Sequence, residues 1–269
     1  MTAEEKTRYR FDEKEHAHFL DDRPLIGTTT AMNVLAKPLT WWAAGEAVKE
    51  FGWIHEKNAT REERLARSHL QKAAISLMST ESYLAKLDKA YRAHDTLKYA
   101  TATEGTDIHA RCERYILYCI NRNAGTPLPA PEERTDPTAV FARWACEIVE
   151  RFRWAEAHCY SETLWTGGIS DCGAILKDGR LAIIDFKRSK AAYFSHFVQL
   201  AGYALQITQN GLFTNVGVNI LEPAPIDCLI VFPFGGGKPQ MEVLTENYWK
   251  AFQSVVHLYQ MQRDFDKKI

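Results

Sequence analysis

The twenty residues from Gly168 to Lys187 constrain this chain more than any other stretch. Two apolar runs, 168–176 and 181–187, flank Lys177-Asp178-Gly179, and an Asp-Gly pair between such runs signals a hairpin. In the second run, strand alternation sends Ala182, Ile184 and Phe186 to one face and Ile183, Asp185 and Lys187 to the other. A carboxylate and an ammonium thus emerge side by side at the end of an apolar strand. Loop length decides whether Asp171 joins them. A two-residue turn pairs residue 172 with 185 and sends Asp171 to the opposite face. A three-residue loop, with Gly179 in the left-handed conformation, pairs 171 with 185. Both suit the sequence, but only the second makes chemical sense of two acids in apolar strands. Held together they repel, at a cost unless a cation sits between them. Hard oxygen ligands of this kind suit Mg²⁺ or Mn²⁺. Such a cation polarises a phosphodiester oxygen and lowers the pKa of a bound water. Lys187 then orients that water or neutralises developing charge.

The neighbouring segments bear on the same site. A helix is expected over 191–208, with Phe194, Val198, Ala201 and Leu205 as its apolar stripe. His196, Gln199, Tyr203 and Gln206 line another face at the same spacing, as a substrate-facing row would. Upstream, Gly105-Thr-Asp-Ile-His109 opens a helix on which His109 and Glu113 share a face. A lone histidine there is ordinarily structural, but beside an acid pair it reads as a further metal ligand, with Glu113 in support.

The rest of the chain divides by texture. Residues 1–24 are polar and read as disordered in part or draped on the surface. From Met32 to about Asn123 the pattern is helical, broken near Lys37-Pro38 and around Asn58-Ala59-Thr60. Asn123 to Pro137 carries Gly125 and four prolines and is expected to be a loop. A helix from about Pro137 to Ala155 follows. Strands are expected at 157–166, 168–176, 181–187, 213–221, 226–233 and 239–244, with a closing helix from Glu246 to Asp264. The expectation is therefore an α/β (α+β) fold, a mixed central sheet flanked by helices, in three parts. These are a polar segment 1–24, a helical region 25–155 and a catalytic core 156–269.

Net charge is −1, which gives no global nucleic-acid signature but leaves room for a local basic groove. The six cysteines contain no CxxC pair, so zinc and disulfide frameworks are not expected. No apolar stretch approaches a membrane span and the first twenty residues lack a signal-peptide core, so a cytoplasmic protein is expected.

Taken in order, four motifs resemble the RecB-like branch of the PD-(D/E)XK nucleases, which includes CRISPR-associated nucleases, a mitochondrial genome maintenance exonuclease and many phage exonucleases. The motifs are Gly105 to His109, Gly168 to Asp171, Asp185-Phe186-Lys187, and Gln199 to Tyr203. The resemblance implies a restriction-endonuclease-like core and a metal held by His109, Asp171, Asp185 and the Phe186 carbonyl. Lys187 would be catalytic, Glu162 resembles an acidic position on the preceding strand, and Gln199 and Tyr203 would position DNA. The segment from Ile26 to Pro38, followed by Trp41-Trp42, resembles the opening helix of phage exonucleases. That implies a 5′-phosphate receptor from Thr28, Thr29 or Thr30, with Arg23 nearby, although an ordinary helix cap fits equally. CRISPR-associated members carry an iron–sulfur cluster on one upstream and three downstream cysteines. Only Cys228 follows the motifs here, so no such cluster is expected.

The implied activity is a metal-dependent DNA exonuclease of phage-type recombination, replication or repair, working in the cytoplasm of a host if phage-encoded. Its partners would be single-stranded or duplex DNA ends, a second copy, or a single-strand annealing or binding protein. The long helical segment would roof the groove, where Trp41, Trp42 and Trp53 stack on bases or pack in a core. Alternatives are a structure-specific endonuclease on the same core, an RNA substrate, or a nucleic-acid-binding module with a decayed site. The intact Asp171, Asp185 and Lys187 speak against the last.

Overall fold

The computed structural model describes residues 7–36, 39–121 and 137–268. Lys37-Pro38 and nearly all of the expected loop from Asn123 to Pro137 lie outside the described residues. The chain divides into two compact units, one of Met1–Ala36 with Asp107–Ile269 and one of Lys37–Thr106. The first unit opens with β1 (Tyr9–Asp12), β2 (Ala17–Leu20), β3 (Arg23–Pro24), β4 (Ile26–Gly27) and the single turn α1 (Thr28–Ala31). β1, β2 and β3 form a small antiparallel sheet. Tyr9 and Leu20 from this sheet are buried with Tyr160 and Leu25, and Phe213 packs against them. The segment expected to be disordered in part or draped on the surface thus forms strands among its described residues, because its few apolar residues find partners remote in sequence.

The second unit holds α2 (Thr40–Lys49) and α3 (Arg61–Ser76), and α4 (Thr80–Ile120) continues from it into the first. Thr60 and Glu63 cap the start of α3 reciprocally, which explains the helix break expected there. The first unit then continues with α5 (Pro137–Ile148), β5 (Val149–Ser161), β6 (Thr166–Leu176), β7 (Leu181–Lys187) and α6 (Phe194–Asn210). After these come β8 (Leu212–Phe213), β9 (Asn219–Leu221), β10 (Cys228–Pro233), β11 (Gln240–Val243) and α7 (Glu246–Asp266).

Two expected boundaries are corrected. The helix from Pro137 ends at Ile148, not Ala155. From Val149 onward the backbone pairs with β6, with Phe152 buried on one face of the sheet and Trp154 on the other across a register shift, so the following residues are a strand. The strand expected over 213–221 is instead two short strands, β8 and β9, with Gly217 at φ +83° between them.

The main sheet runs β11-β10-β7-β6-β5-β8-β9, with β4 parallel to β6. The β7–β10 pair is parallel and the rest of the main path antiparallel, so the sheet is mixed. One face packs Cys172, Ile184, Phe186 and Ile230 against Ile108, Cys112 and Ile116 of α4 and Phe141 of α5. The other packs Trp154, Ile183, Leu229 and Val231 against Leu200, Ala201 and Ala204 of α6, with Trp249 of α7 alongside. The result is a mixed α/β fold with helices on both faces of its sheet. Among the described residues no helix is long and apolar enough to cross a membrane.

Candidate metal centre and cleft

The hairpin between β6 and β7 uses the three-residue loop. Leu176 donates to the Arg180 carbonyl at 2.8 Å, and Gly179 donates to the Leu176 carbonyl at 2.9 Å. Gly179 has φ +88°, a conformation glycine adopts without steric cost. The pairing of β6 and β7 ends with Cys172 opposite Ile184, and continuing that register by one step would set Asp171 opposite Asp185. Cys172 also lies opposite Ala155 on β5, and Ser170 opposite Ala157, so the residue facing Asp171 there is Glu156. Glu156, Asp171 and Asp185 therefore stand in a row across three adjacent strands.

Glu156 was missed by the sequence reading, which began the strand one residue later. Its φ of 44° is uncommon outside glycine, and such backbone concentrates at functional sites. Single ligand atoms of His109, Glu156 and Asp171 all lie within 4.8 Å of one another. His109 Nε2 is 3.1 Å from the Phe186 carbonyl, which can only accept, so Nε2 carries the proton. In the neutral ring Nδ1, 3.7 Å from Asp171 Oδ2, presents a lone pair to a carboxylate. That pairing is repulsive in the absence of a cation or a second proton. The Phe186 carbonyl, expected as a metal ligand, is engaged by His109, and the Phe186 N–H donates to Asp171 Oδ2 at 2.7 Å.

The electrostatics follow from crowding. Burial first, and then Asp185, push the Asp171 carboxyl up to about 6, against the opposing pull of His109 and Lys187. Burial, followed by Asp171, Glu113 and Asp185, pushes Glu156 up to about 8. Glu113 thus acts on Glu156 through its charge. Lys187 donates to Asp185 Oδ1 at 3.0 Å. It also lies 2.7 Å from Oδ2, but that buried oxygen makes no hydrogen bond. The 2.7 Å approach is an ion-pair contact whose angle fails a hydrogen bond. Burial pulls the ammonium pKa down, yet Asp185 and Asp171 outweigh it and hold Lys187 above its ordinary value. The raised Glu156 and Asp171 carboxyls express burial and mutual repulsion that a divalent cation would offset.

Asp171, Asp185 and Lys187 open into a cleft of about 260 Å³ whose other walls include Gln199, Tyr203, Thr28, Thr29, Thr30 and His18. Gln199 Nε2 donates to the Tyr203 hydroxyl at 2.8 Å and to Thr29 Oγ1 at 3.2 Å. Gly168 makes this possible, because a Cβ there would fall within the Tyr203 ring. Thr28 is fully buried, donating to the Gly167 carbonyl and accepting from Gln206 at 2.7 Å, so its role is to seat α1. Gln206 also donates to Thr166, and it is structural rather than part of a substrate-facing row.

Other expected residues stand elsewhere. Glu162 lies past the end of β5, 3.0 Å from Arg8, and does not line the cleft; the acid on the preceding strand that reaches the site is Glu156. Arg23 stacks over Trp165, 4.4 Å from the ring centroid, rather than facing Thr29 or Thr30. His196 accepts from the Tyr193 backbone N–H at 3.2 Å at the start of α6. Phe194, expected in the apolar stripe, is exposed, whereas Val198, Ala201 and Leu205 are buried. Trp41, Trp42 and Trp53 belong to the second unit, and all three are exposed.

No protein-family model matches the sequence, and a search of curated proteins returns no match. What the site can do is read from its own residues: an acid row with a histidine nearby and an ammonium at one end, beside a polar cleft.

Proposed function

We propose that this chain is a Mg²⁺- or Mn²⁺-dependent deoxyribonuclease with a PD-(D/E)XK core of the RecB-like kind, hydrolysing phosphodiester bonds at DNA ends. The observation that carries the reading is the row of Glu156, Asp171 and Asp185 on three adjacent strands, with His109 at hand and Lys187 on Asp185. The donor set fits a hard divalent cation, since it offers carboxylate oxygens and an imidazole nitrogen and leaves Asp185 Oδ2 buried without a hydrogen bond. Glu156, Asp171, Asp185 and His109 are the residues that would hold the ion. When bound, it supplies polarisation of a phosphoryl oxygen and a water of lowered pKa.

Lys187, held charged by Asp185 and Asp171, stabilises negative charge as it develops on the phosphorus oxygens. Gln199, Tyr203 and Thr29 form one hydrogen-bonded wall that fixes the strand beside the acids. The preference for ends rests on the likeness of the Ile26–Pro38 segment to phage exonucleases, together with Thr29 and Thr30 lining the cleft. The test is digestion of end-labelled linear DNA, covalently closed duplex and RNA with Mg²⁺, Mn²⁺ or EDTA. Linear DNA is degraded only with metal, closed duplex is spared, and Asp185→Asn is folded but inactive. Cleavage by the pure protein in EDTA would refute the reading, and equal cutting of closed duplex would replace the exonuclease by an endonuclease.

A further inference from the structure

The N-terminal sheet carries a histidine into the cleft wall that the acid row does not use. His18 on β2 is buried and lines the same cleft as Asp171 and Asp185. Its ring lies over Gly167, where a Cβ would sit 2.8 Å from the His18 Cβ and 2.9 Å from its Cγ. The Tyr9 hydroxyl is 2.7 Å from His18 Nδ1 and 3.2 Å from His158 Nδ1. That hydroxyl has one proton and can donate to only one of the two rings. Short contacts near 2.7 Å are typical of O–H donors, and about 3.2 Å is the long end for N–H donors. The distances fit His158 donating to Tyr9 and Tyr9 donating to His18 Nδ1. The His18 proton is then on Nε2, which makes no hydrogen bond among the described residues.

We infer that Tyr9 and His158 lock His18 as an Nε2–H donor for a non-scissile phosphate of the bound DNA strand. Burial, with His158 and His16 beside it, holds the His18 pKa down to about 3, so the donor is neutral and keeps its tautomer at working pH. Its position fits that ligand. Gly167, beneath the His18 ring, is four residues along β6 from Asp171, about 13 Å at ~3.3 Å per residue, which is beyond the reacting phosphate. Thr29 and Thr30 supply hydroxyls along the same wall, and a phosphate oxygen there completes what the imidazole lacks.

This inference rests on the nuclease reading, and its test separates the two. Cleavage kinetics on end-labelled DNA are measured for the wild type, His18→Ala and His18→Gln, and the His18 tautomer is read by ¹⁵N-edited NMR of the wild type. The expected results are an Nε2–H tautomer and a KM raised about tenfold or more by His18→Ala, the loss of one hydrogen bond to a charged group. The kcat should stay within about threefold, and His18→Gln, whose amide N–H can replace Nε2–H, should restore KM. An Nδ1–H tautomer overturns the inference. So does an unchanged KM in His18→Ala, or an equal defect in His18→Gln, with the wild type active. Should His18→Ala not fold, Tyr9→Phe takes its place: it keeps the ring but frees the tautomer, and an unchanged KM there overturns the inference too. A wild type without metal-dependent cleavage overturns the nuclease reading itself.

Discussion

Glu156→Gln separates the stability of this site from its activity. In the metal-free protein the Glu156 carboxyl is pushed from 4.5 to about 8, chiefly by burial and then by Asp171, Glu113 and Asp185. A carboxyl whose pKa rises on folding favours the folded state below its unfolded value, and that advantage is lost as pH climbs through the folded one. At 1.36 kcal/mol per pH unit, keeping Glu156 folded costs about 4 kcal/mol at pH 8 and about 1 kcal/mol at pH 5, relative to acid pH. Partial solvent access at Glu156 reduces the first figure to about 2–4 kcal/mol. At about 2–4 °C per kcal/mol for a unit of this size, the variant should melt roughly 4–16 °C above the wild type in EDTA at pH 8. The gap should nearly close at pH 5. Adding Mn²⁺ should raise the wild-type Tm and leave the variant almost unmoved, because the variant has lost an anionic ligand. The assay is thermal unfolding by circular dichroism across pH 5–8, with and without metal. Parallel pH profiles for the two proteins would refute the reasoning, since Glu156 would then carry no repulsion to relieve.

Three further outcomes are expected. Lys187→Ala should lower kcat about a hundredfold or more at unchanged fold, measured on linear DNA at saturating metal. Gly168→Ala should destabilise by about 1–3 kcal/mol in urea titration, because the added methyl enters the space of the Tyr203 ring. Thr29→Val should weaken cleavage and any preference for 5′-phosphorylated ends, whereas Arg23→Ala, which removes a stack on Trp165 away from the cleft, should leave both intact in a competition digest.

The parts of the site legible in the sequence are those set by local rules. Strand alternation and a glycine able to take φ +88° leave two loops open, and the chemistry of two acids in apolar strands selects the three-residue one, because register in a hairpin follows from its loop. Glu156 escapes those rules twice. Register shifts at Val149/Arg151 and Phe152/Trp154 interrupt the alternation of β5, and the Ala- and Glu-containing run before Glu156 reads as helix. The available signal was the pairing itself, since an antiparallel partner of β6 sets 155 against 172 and 157 against 170, and hence 156 against 171. Tyr9 and Leu20 were illegible for a different reason. Strands of four residues have too few positions to show a period, and the burial of these two depends on Tyr160 and Phe213, far along the chain. Arg23 illustrates the converse, since closeness in sequence to Thr28 did not make it a neighbour of the cleft.

Glu156, Asp171, Asp185 and His109 are proposed to hold one divalent cation, and anomalous diffraction from crystals grown with Mn²⁺ locates it. A manganese peak is expected within about 2.0–2.6 Å of oxygens from at least two of the three carboxylates, the span of Mg²⁺- and Ca²⁺-type oxygen ligation. The His109 imidazole should lie at a similar distance. A fully active protein whose crystals show no manganese among these residues, or show it only elsewhere, would contradict it.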